Sequence, residues 1–498
     1  MKKLILFFAF MLAPLPWMMG QWTSPGNGTA YTLRDLVESS QGCVTHQNGS
    51  GAYHIHHDLT IAPNDRLTVG PEDFATIDAD AGGILCHGNV LLTIQGALVI
   101  DCDQIDVYLE PDSVSRLRVV FDHCTEASRF AHVKMFYLSG IQVVESEVVF
   151  DDCMLQSFDK TQTKGAVQYT SCNPVLTDCI FQGNYGSAIS GTNGSPQIDR
   201  CEFRYNVLSK EDMPQLDFGP GGEDTLRLLN SRVVGLYPLV GGIFINDPRE
   251  QGGTKVLIQG NFIGDNRYGY YQQGNQIDAL IRENEIVCNQ IAPDPTTDGS
   301  GVRIDGASDQ CKATLRHNLI KGNLWGVTVL ADAVVDMGTE SDYGRNILED
   351  NHHSGFGTDQ TFALYVEGGQ DVNAVGNYWG GSTEAFAESV IYHRPDLGAD
   401  HGLVHYTPIL TVNDWEVETQ HAATAIYPNP TSGQLTLCME QTDGFTYEVF
   451  NPMGQRVLHG HANGTQTVID LTPFAVGIYL VSMKADGMGL PTLQRVVR

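Results

Sequence analysis

The chain has 498 residues, with 29 Lys and Arg against 59 Asp and Glu, which gives a net charge of −30 and a pI near 4.7. A field of that sign repels phosphate backbones and anionic lipid surfaces, so nucleic-acid binding is excluded. The acidic residues are spread along the chain, which reads as a solvated exterior rather than a polycation-binding tail, and the length suits two or more domains or one long solenoid.

In chain order, residues 1–20 read as a secretory signal peptide: Lys2 and Lys3 supply the charged start, Leu4 to Leu15 the apolar stretch, and Gly20-Gln21 a cleavage point, although Met18 is a poor −3 residue for it. No later apolar run approaches the ~20 residues that span a bilayer, so no transmembrane segment is expected after its removal. Thr32 then caps a short helix with Asp35 in a capping box, and Leu33, Leu36 and Val37 form its apolar face. Such a helix suits a lid over an unpaired strand edge. His54, His56 and His57 put two imidazoles on one strand face, an arrangement that can hold zinc or copper, although a surface strand needs no metal. Alternating segments from Leu67 to Ile100 suggest three or four irregular coils.

A nine-residue phrase, apolar-x-x-(Cys or Asn)-x-apolar-x-x-Asn, then recurs ten times between Phe121 and Ser382. Its pivots are Cys124, Cys153, Cys179, Cys201, Asn230, Asn261, Asn284, Asn318, Asn346 and Asn377, spaced 22 to 34 residues apart. The second Asn recurs at Asn184, Asn206, Asn266, Asn289, Asn323 and Asn351. The period of two around each pivot belongs to a strand with one buried face. Repeats of this length with drifting gaps indicate one unit stacked on its own copies. The expected fold is therefore all-β, a parallel β-helix of thirteen or so coils at ~4.8 Å each, about 60 Å long. Stacked amides would bond to one another and tolerate a left-handed turn. The copy at Asn230 carries Arg227 and Arg232 where apolar residues belong, implying a bulge or a misplaced register, and Asn377 looks like the end of the rod. Eleven cysteines are present without CxxC spacing, which excludes a common zinc pattern. The four at pivots are expected to be free buried thiols, because parallel stacking aims their Cβ vectors the same way.

The stretches Asn173-Pro174-Val175-Leu176-Thr177-Asp178-Cys179-Ile180-Phe181 and Ser195-Pro196-Gln197-Ile198-Asp199-Arg200-Cys201-Glu202-Phe203 carry a family likeness. So does the closing Gly376-Asn377-Tyr378-Trp379-Gly380-Gly381. On these the region 21–410 resembles the right-handed parallel β-helix repeat proteins; its handedness is what the resemblance implies.

Residues 411–424 are polar and lack the phrase, as a linker would. Residues 425–498 read as a small β-sandwich of seven or so strands, with turns at Pro452-Met453-Gly454 and Pro473. This unit opens with Tyr427, Pro428, Asn429, Pro430 and Gly433, continues through Gly454, and closes with Gly477, Tyr479 and the Gln494-to-Arg498 end. On those residues it resembles the type A sorting domain of the type IX secretion system. The resemblance implies export via the periplasm through an outer-membrane translocon, removal by sortase-like processing machinery, and cargo that is released or held on the outer cell surface.

Parallel β-helices include many polysaccharide-active enzymes, whose chemistry needs clustered acids and bases from adjacent coils. Counted from the strand-opening residues Gly242, Gly301, Gly326 and Ala363, the acids Asp247, Asp305, Asp332 and Glu367 sit at offsets of 5, 4, 6 and 4. Only Asp305 and Glu367 share a register, with a coil bearing Leu330 between them, which would set them about 10 Å apart. With Arg303 they are the candidate catalytic residues. The Asn-Thr-Asp, Asp-Asp and Gly-His-Gly pattern of polygalacturonase-like enzymes is missing. Asp294, Asp298 and Asp305 echo a calcium loop, with Thr296 replacing an acid; a plain Gly-rich insertion explains the segment as well. Tyr268, Tyr270 and Tyr271 are candidate groove residues for an extended polymer. The favoured reading is a non-catalytic exported rod that binds glycan or another extracellular surface. The alternative is a lyase, hydrolase or epimerase acting on an extracellular polysaccharide.

Overall fold

The computed structural model describes residues 21–498 apart from 48–51, 75–80, 103–105, 112–115, 159–163, 292–297, 353–359, 412–423, 428–430, 432, 440–443, 452–455 and 486–491. The signal-peptide reading and most of the linker reading therefore lie outside the described residues.

Each full coil contributes one short strand to each of three sheets, here A, B and C in chain order, which are parallel except for the antiparallel pair Val44–His46 and Tyr53–Ile55 at the start of sheet C. One coil runs Gly165–Thr170, Val175–Thr177 and Ile180–Gln182, and Ser187–Thr192 then pairs back onto sheet A. Among the described residues sheets A and B have 14 strands and sheet C has 13. Alternation sets the inside: in Thr254–Gln259, Val256 and Ile258 are buried while Lys255 is exposed. Register then stacks like on like, Ile258 over Ile281 over Leu315. Phe130 and Phe150 stack at 5.2 Å with a 2° interplanar angle, and Phe181 lies 5.2 Å from Phe203. Each such side chain contributes about 2 kcal/mol on burial.

The corners are polar and built as two ladders. Between sheets B and C, the Asn261 amide donates to Asn284, Asn284 to Asn318, Asn318 to Asn346 and Asn346 to Asn377, all at 2.8–3.0 Å. Between sheets C and A, the chain of donors runs Asn266 to Asn289, Asn323 and Asn351. Every amide is buried, so each bond also meets a polar group that water cannot reach. The left-handed residue is the one before each ladder position, Cys or Asn, rather than the position itself: Asp178, Arg200, Glu283, His317 and Arg345 have φ of 50–57° at the first corner. At the second corner Tyr205, Asp265, Cys288 and Asp350 have φ of 54–56°. That conformation costs roughly 1 kcal/mol per non-glycine residue, which the ladder bonds offset.

Two pivots differ from expectation. The poor copy at Asn230 is a misplaced register. Ser231 holds the ladder position, its hydroxyl accepting from Cys201 N–H at 2.9 Å and its own N–H donating to Asn261 Oδ1 at 2.8 Å. Asn230 is the left-handed residue before it, with φ 48°. Cys124 belongs to a different corner, between sheets A and B, where its N–H donates to Ser146 and its thiol faces Ile94 O as that of Cys172 faces Val143 O. Cys153, Cys179 and Cys201 do form one column, since Ile180 N–H bonds to Cys153 O and Glu202 N–H to Cys179 O. No disulfide links the members of this column. Burial pushes the Cys153 and Cys179 thiols well up.

The column has a chemical consequence. Alkylation of the native protein at pH 8 should label exposed Cys288 first and reach Cys153, Cys179 and Cys201 only on unfolding, read by peptide mass spectrometry. Rapid native labelling of Cys179 would contradict the stacked interior.

Both ends are covered. The helix Leu33–Ser39 carries the reciprocal cap, Asp35 N–H to Thr32 Oγ1 at 3.2 Å and Thr32 N–H to Asp35 Oδ2 at 2.8 Å, and buries Leu33 and Leu36. At the other end the amide ladder stops at Asn377, beside buried Trp379. The helix Glu384–Val390 then packs Ala387 and Val390 on the core, and Ile391–Tyr392 and Val404–His405 add one last strand to sheets A and B. No described helix is long and apolar enough to cross a membrane.

The C-terminal unit is a sandwich. Thr424–Tyr427, Gln434–Met439 and Gln466–Asp470 form a three-stranded antiparallel sheet. Gly444–Phe450, Arg456–Asn463, Ile478–Ala485 and Thr492–Val497 form a four-stranded one. Leu435, Leu437, Phe445, Val449, Val481 and Met483 fill the space between.

Candidate functional site

On the outer face of sheet A, alternation and register line up Asp217, Phe244, Tyr271 and Arg303 on four successive coils. Three steps of ~4.8 Å make this column about 14 Å long. It floors a cleft of about 420 Å³ walled by Lys164, Asp212, Tyr268, Arg267 and Asp298. The wall is tied across coils: Arg267 pairs with Asp298 at 2.8 Å and with Asp212. Burial works against the charge on Arg267, but the Asp298 hydrogen bond together with the charges of Asp298 and Asp212 more than offsets it and raises its pKa.

The floor is aromatic with matched charges. Tyr271 lies 5.0 Å from Phe244 and meets Tyr268 edge-on at 5.5 Å. The Arg303 guanidinium sits 4.8 Å over the Tyr271 ring, a cation–π contact that holds both in place. The Tyr271 hydroxyl donates to Asp305 Oδ2 at 3.2 Å, and Arg303 approaches the same carboxylate at 3.6 Å. Lys164 pairs with Asp217, whose side chain is only 8% exposed. Each of these three cations therefore faces a carboxylate. Burial pushes the Tyr271 hydroxyl up to about 12, so it stays a donor at neutral pH.

Five of the sequence candidates meet here: Tyr268, Tyr271, Arg303 and Asp298 line the cleft, and Asp305 adjoins it through Tyr271. Tyr270 does not. It is fully buried, because it has the opposite parity to Tyr271, and its hydroxyl donates to Gln272 Oε1 at 2.9 Å. Glu367 keeps the expected register, with Asp305 beside Leu330 and Val329 beside Val366, yet it lies two coils from Asp305, is exposed, and accepts the His401 ring on its backbone oxygen. Asp247 is also spoken for, gripped by Arg249 at 2.7 and 2.9 Å and by the Thr254 hydroxyl at 2.7 Å. The Asp298 carboxylate is occupied by Arg267, and Asp294 lies outside the described residues. Among the described residues no group of three or more His, Cys, Asp or Glu is arranged as a metal shell. His54 and His56 share a face, and His87 from the next coil joins them in place of His57. Burial and the neighbouring imidazoles hold both His54 and His56 below the usual histidine range.

Of the sorting residues, Pro428, Asn429, Pro430 and Gly454 lie outside the described set. Tyr427 ends the first strand, opposite Thr436. Gly433 has φ 148°, where a Cβ would meet the Thr472 methyl at 2.2 Å. Gly477 bonds reciprocally to Arg498 at 2.9 and 3.0 Å, and buried Tyr479 donates to Ala475 O, so these residues tie the last strand into the sandwich.

Asp217, Phe244, Lys164 and Arg267 are site residues that the repeat phrase does not mark, because the phrase tracks a corner and they lie on sheet A or its loops. The small-residue column Gly242–Gly269–Gly301–Gly326–Ala363 is the signal that finds the floor: two residues on from the first three stand Phe244, Tyr271 and Arg303.

Residues 139–337 match the family model of the right handed beta helix region, and residues 425–495 that of the secretion system C-terminal sorting domain. Similar solved structures are the periplasmic alginate epimerase AlgG, at 11% identity over 77% of this chain and 84% of that one with a TM-score of 0.47, and a single-residue mutant of it, with the same identity and coverage and a TM-score of 0.48. No curated protein matches the chain. The sorting domain implies interaction with the type IX secretion machinery and secretion to the cell surface or extracellular space. The chain is a right-handed parallel β-helix protein that ends in a secretion system C-terminal sorting domain.

Proposed function

We propose that the rod binds an extracellular glycan along the outer face of sheet A and does not turn it over. The observation that carries this is the four-coil column Asp217–Phe244–Tyr271–Arg303 inside a walled cleft. Aromatic faces suit the C–H faces of sugar rings, and fixed carboxylate and guanidinium groups suit their hydroxyls. The three cations of the cleft face four carboxylates, Asp212, Asp217, Asp298 and Asp305, and the chain carries −30 overall, so neutral sugars fit better than uronates. Two features speak against turnover. Asp217 and Asp305 stand three coils apart, ~14 Å by strand spacing, beyond the ~9.5 Å limit for an inverting carboxylate pair, and the nearer pair, Asp212 and Asp298, is engaged on both sides by Arg267. The Tyr271 phenol, held protonated by burial, gives its hydrogen bond to the Asp305 carboxylate, so the two groups engage each other.

The test is retention on neutral and acidic polysaccharides by affinity electrophoresis, with and without calcium, while monitoring reducing ends and unsaturated-uronate absorbance. Retention on a neutral polymer without product is expected. Tyr271→Ala should weaken it at least tenfold, about 1.4 kcal/mol, while Tyr271→Phe keeps most of the stacking. Product formation would establish instead a lyase, hydrolase or epimerase, and no retention on any polymer would end the glycan reading.

A further inference from the structure

We propose that the outer face of sheet C carries a seat for the chain's own sorting domain, and that the seat is a releasable latch. The Phe450 ring holds it closed, and an unpaired guanidinium under the cover, that of Arg232, works against it. The seat is separate from the sheet A cleft and does not rest on the glycan reading. Outward side chains of sheet C stand in the first and third places of each three-residue strand. In Met154–Gln156, Glu285–Val287, Leu319–Lys321 and Ile347–Glu349 those places are half-exposed. On the coils between the first two of these strands, Gln182, Arg204, Arg232 and Val234 hold the same places and are buried, with 4% exposure left to Arg204 and 2% to Arg232. Arginine is rarely buried on an outward face unless another part of the chain lies over it.

The cover comes from the sandwich. The strand Gly444–Phe450 sends Phe445 and Val449 into the sandwich core, and a bulge between Val449 and Phe450 lets the last ring leave it. Phe450 is nevertheless buried, because it clusters with Tyr205 and Val234 of the rod. The Arg204 guanidinium lies 4.4 Å from the centre of the Phe450 ring, a cation–π contact between the two units. Arg204 is aimed by its own bonds, Nε donating to Gln182 Oε1 at 2.8 Å and Nη1 to Glu202 Oε1 at 3.2 Å. Arg232 stands beside Glu202 in register and lies 4.2 Å over the Phe262 ring, yet its Nε and Nη2 are buried without a hydrogen-bond partner. A buried charge that lacks partners is costly, and water meets both nitrogens once the sandwich lifts. Stacking on Phe450 closes the latch, and the desolvation of Arg232 keeps it weak enough to open.

The experiment is arginine footprinting of the full chain with phenylglyoxal, read by peptide mass spectrometry, with exposed Arg227 as the internal reference. Arg204 and Arg232 should label at least about tenfold more slowly than Arg227. Phe450→Ala should speed both by about fivefold or more, while Phe450→Trp keeps the protection. Arg232→Met removes the unpaired charge and keeps the bulk, so it should slow Arg204 labelling by a further factor of about two. Circular dichroism, and hydrogen exchange in the sandwich strand Ile478–Ala485, control for folding of each variant. Labelling of Arg232 as fast as Arg227 in the unaltered chain, or unchanged labelling in Phe450→Ala, would overturn the seat. Arg204 labelling that is unchanged or faster in Arg232→Met would overturn the latch.

Discussion

Replacing Asn318 with alanine is expected to destabilise the rod by about 4 kcal/mol, from three orphaned buried groups at 1–3 kcal/mol each. The Asn318 amide donates to Ile281 O at 2.9 Å and to Asn346 Oδ1 at 2.8 Å, while its oxygen accepts from both the backbone and side-chain nitrogens of Asn284 at 3.1 and 3.0 Å. None of this is exposed. Alanine takes the amide partner from the Ile281 carbonyl, from the Asn284 backbone N–H and from one of the two Asn284 side-chain N–H groups, the other still reaching Ile258 O at 2.9 Å, whereas Asn346 Oδ1 still accepts from Asn318 N–H at 3.0 Å. The same change at exposed Asn373 should cost less than about 0.5 kcal/mol. Because coils touch only their neighbours, the damage should be local: hydrogen exchange ought to quicken first between about Ile281 and Asn346. Urea unfolding gives the free energy. A loss for Asn318→Ala no larger than that for Asn373→Ala would mean that the ladder decorates the corner instead of holding it.

The ladders explain which parts of this molecule are legible from residues alone. A buried amide column demands the same residue type in every coil, so it prints a repeat. The helix cap at Thr32 and Asp35 is equally plain, since only short oxygen-bearing side chains close it. Legibility fails where two residue types satisfy one position. Asn230 fits the phrase, yet Ser231 does the bonding, because a hydroxyl can accept from Cys201 N–H as an amide would, and Asn is well suited to the left-handed place before it. Cysteine is small enough for two different corners, which is how Cys124 joins the wrong column. Leu236 interrupts the second ladder, and the gap is spanned by a side chain from another sheet: Gln215 accepts from Asn206 at 3.1 Å and donates to Asn266 at 3.0 Å. No spacing rule anticipates that bridge. The cleft is harder still. Outward residues of sheet A carry no packing demand, so Asp217, Phe244, Tyr271 and Arg303 share a place without sharing a type. Tyr270 and Tyr271 are indistinguishable by composition, and only their distance from Gly269 tells which faces solvent.

Removing the Asp65 carboxylate should cost about 3 kcal/mol at pH 7, since hydrogen bonds to a charged group are worth ~1.5–3 kcal/mol each and water replaces them in part. Asp65 accepts from Gly26 N–H at 2.7 Å, Gly28 N–H at 2.9 Å and Thr29 N–H at 2.8 Å, and so holds the segment that leads into the first strand of sheet B, Ala30–Tyr31. Burial alone would raise its pKa, but the Ser24 hydroxyl and these three donors more than offset it and hold the carboxyl below its usual range. The sign of the pH effect follows. With the folded pKa below the unfolded value of about 3.9, the unfolded chain takes up the proton first. The Asp65 contribution is therefore complete above that value and is lost as pH falls through the folded pKa. Urea midpoints for the unaltered chain and Asp65→Ala should stand apart at pH 7 and converge on acidification. Asp73, whose carboxyl burial pushes upward, acts with the opposite sign, but it is common to both proteins and cancels in their difference. Asp65→Asn should behave like the alanine variant, because its amide turns a donor towards N–H groups that need an acceptor. A gap between the curves that stays constant down to pH 3 would show that the carboxylate charge has no part in pinning the N-terminal edge.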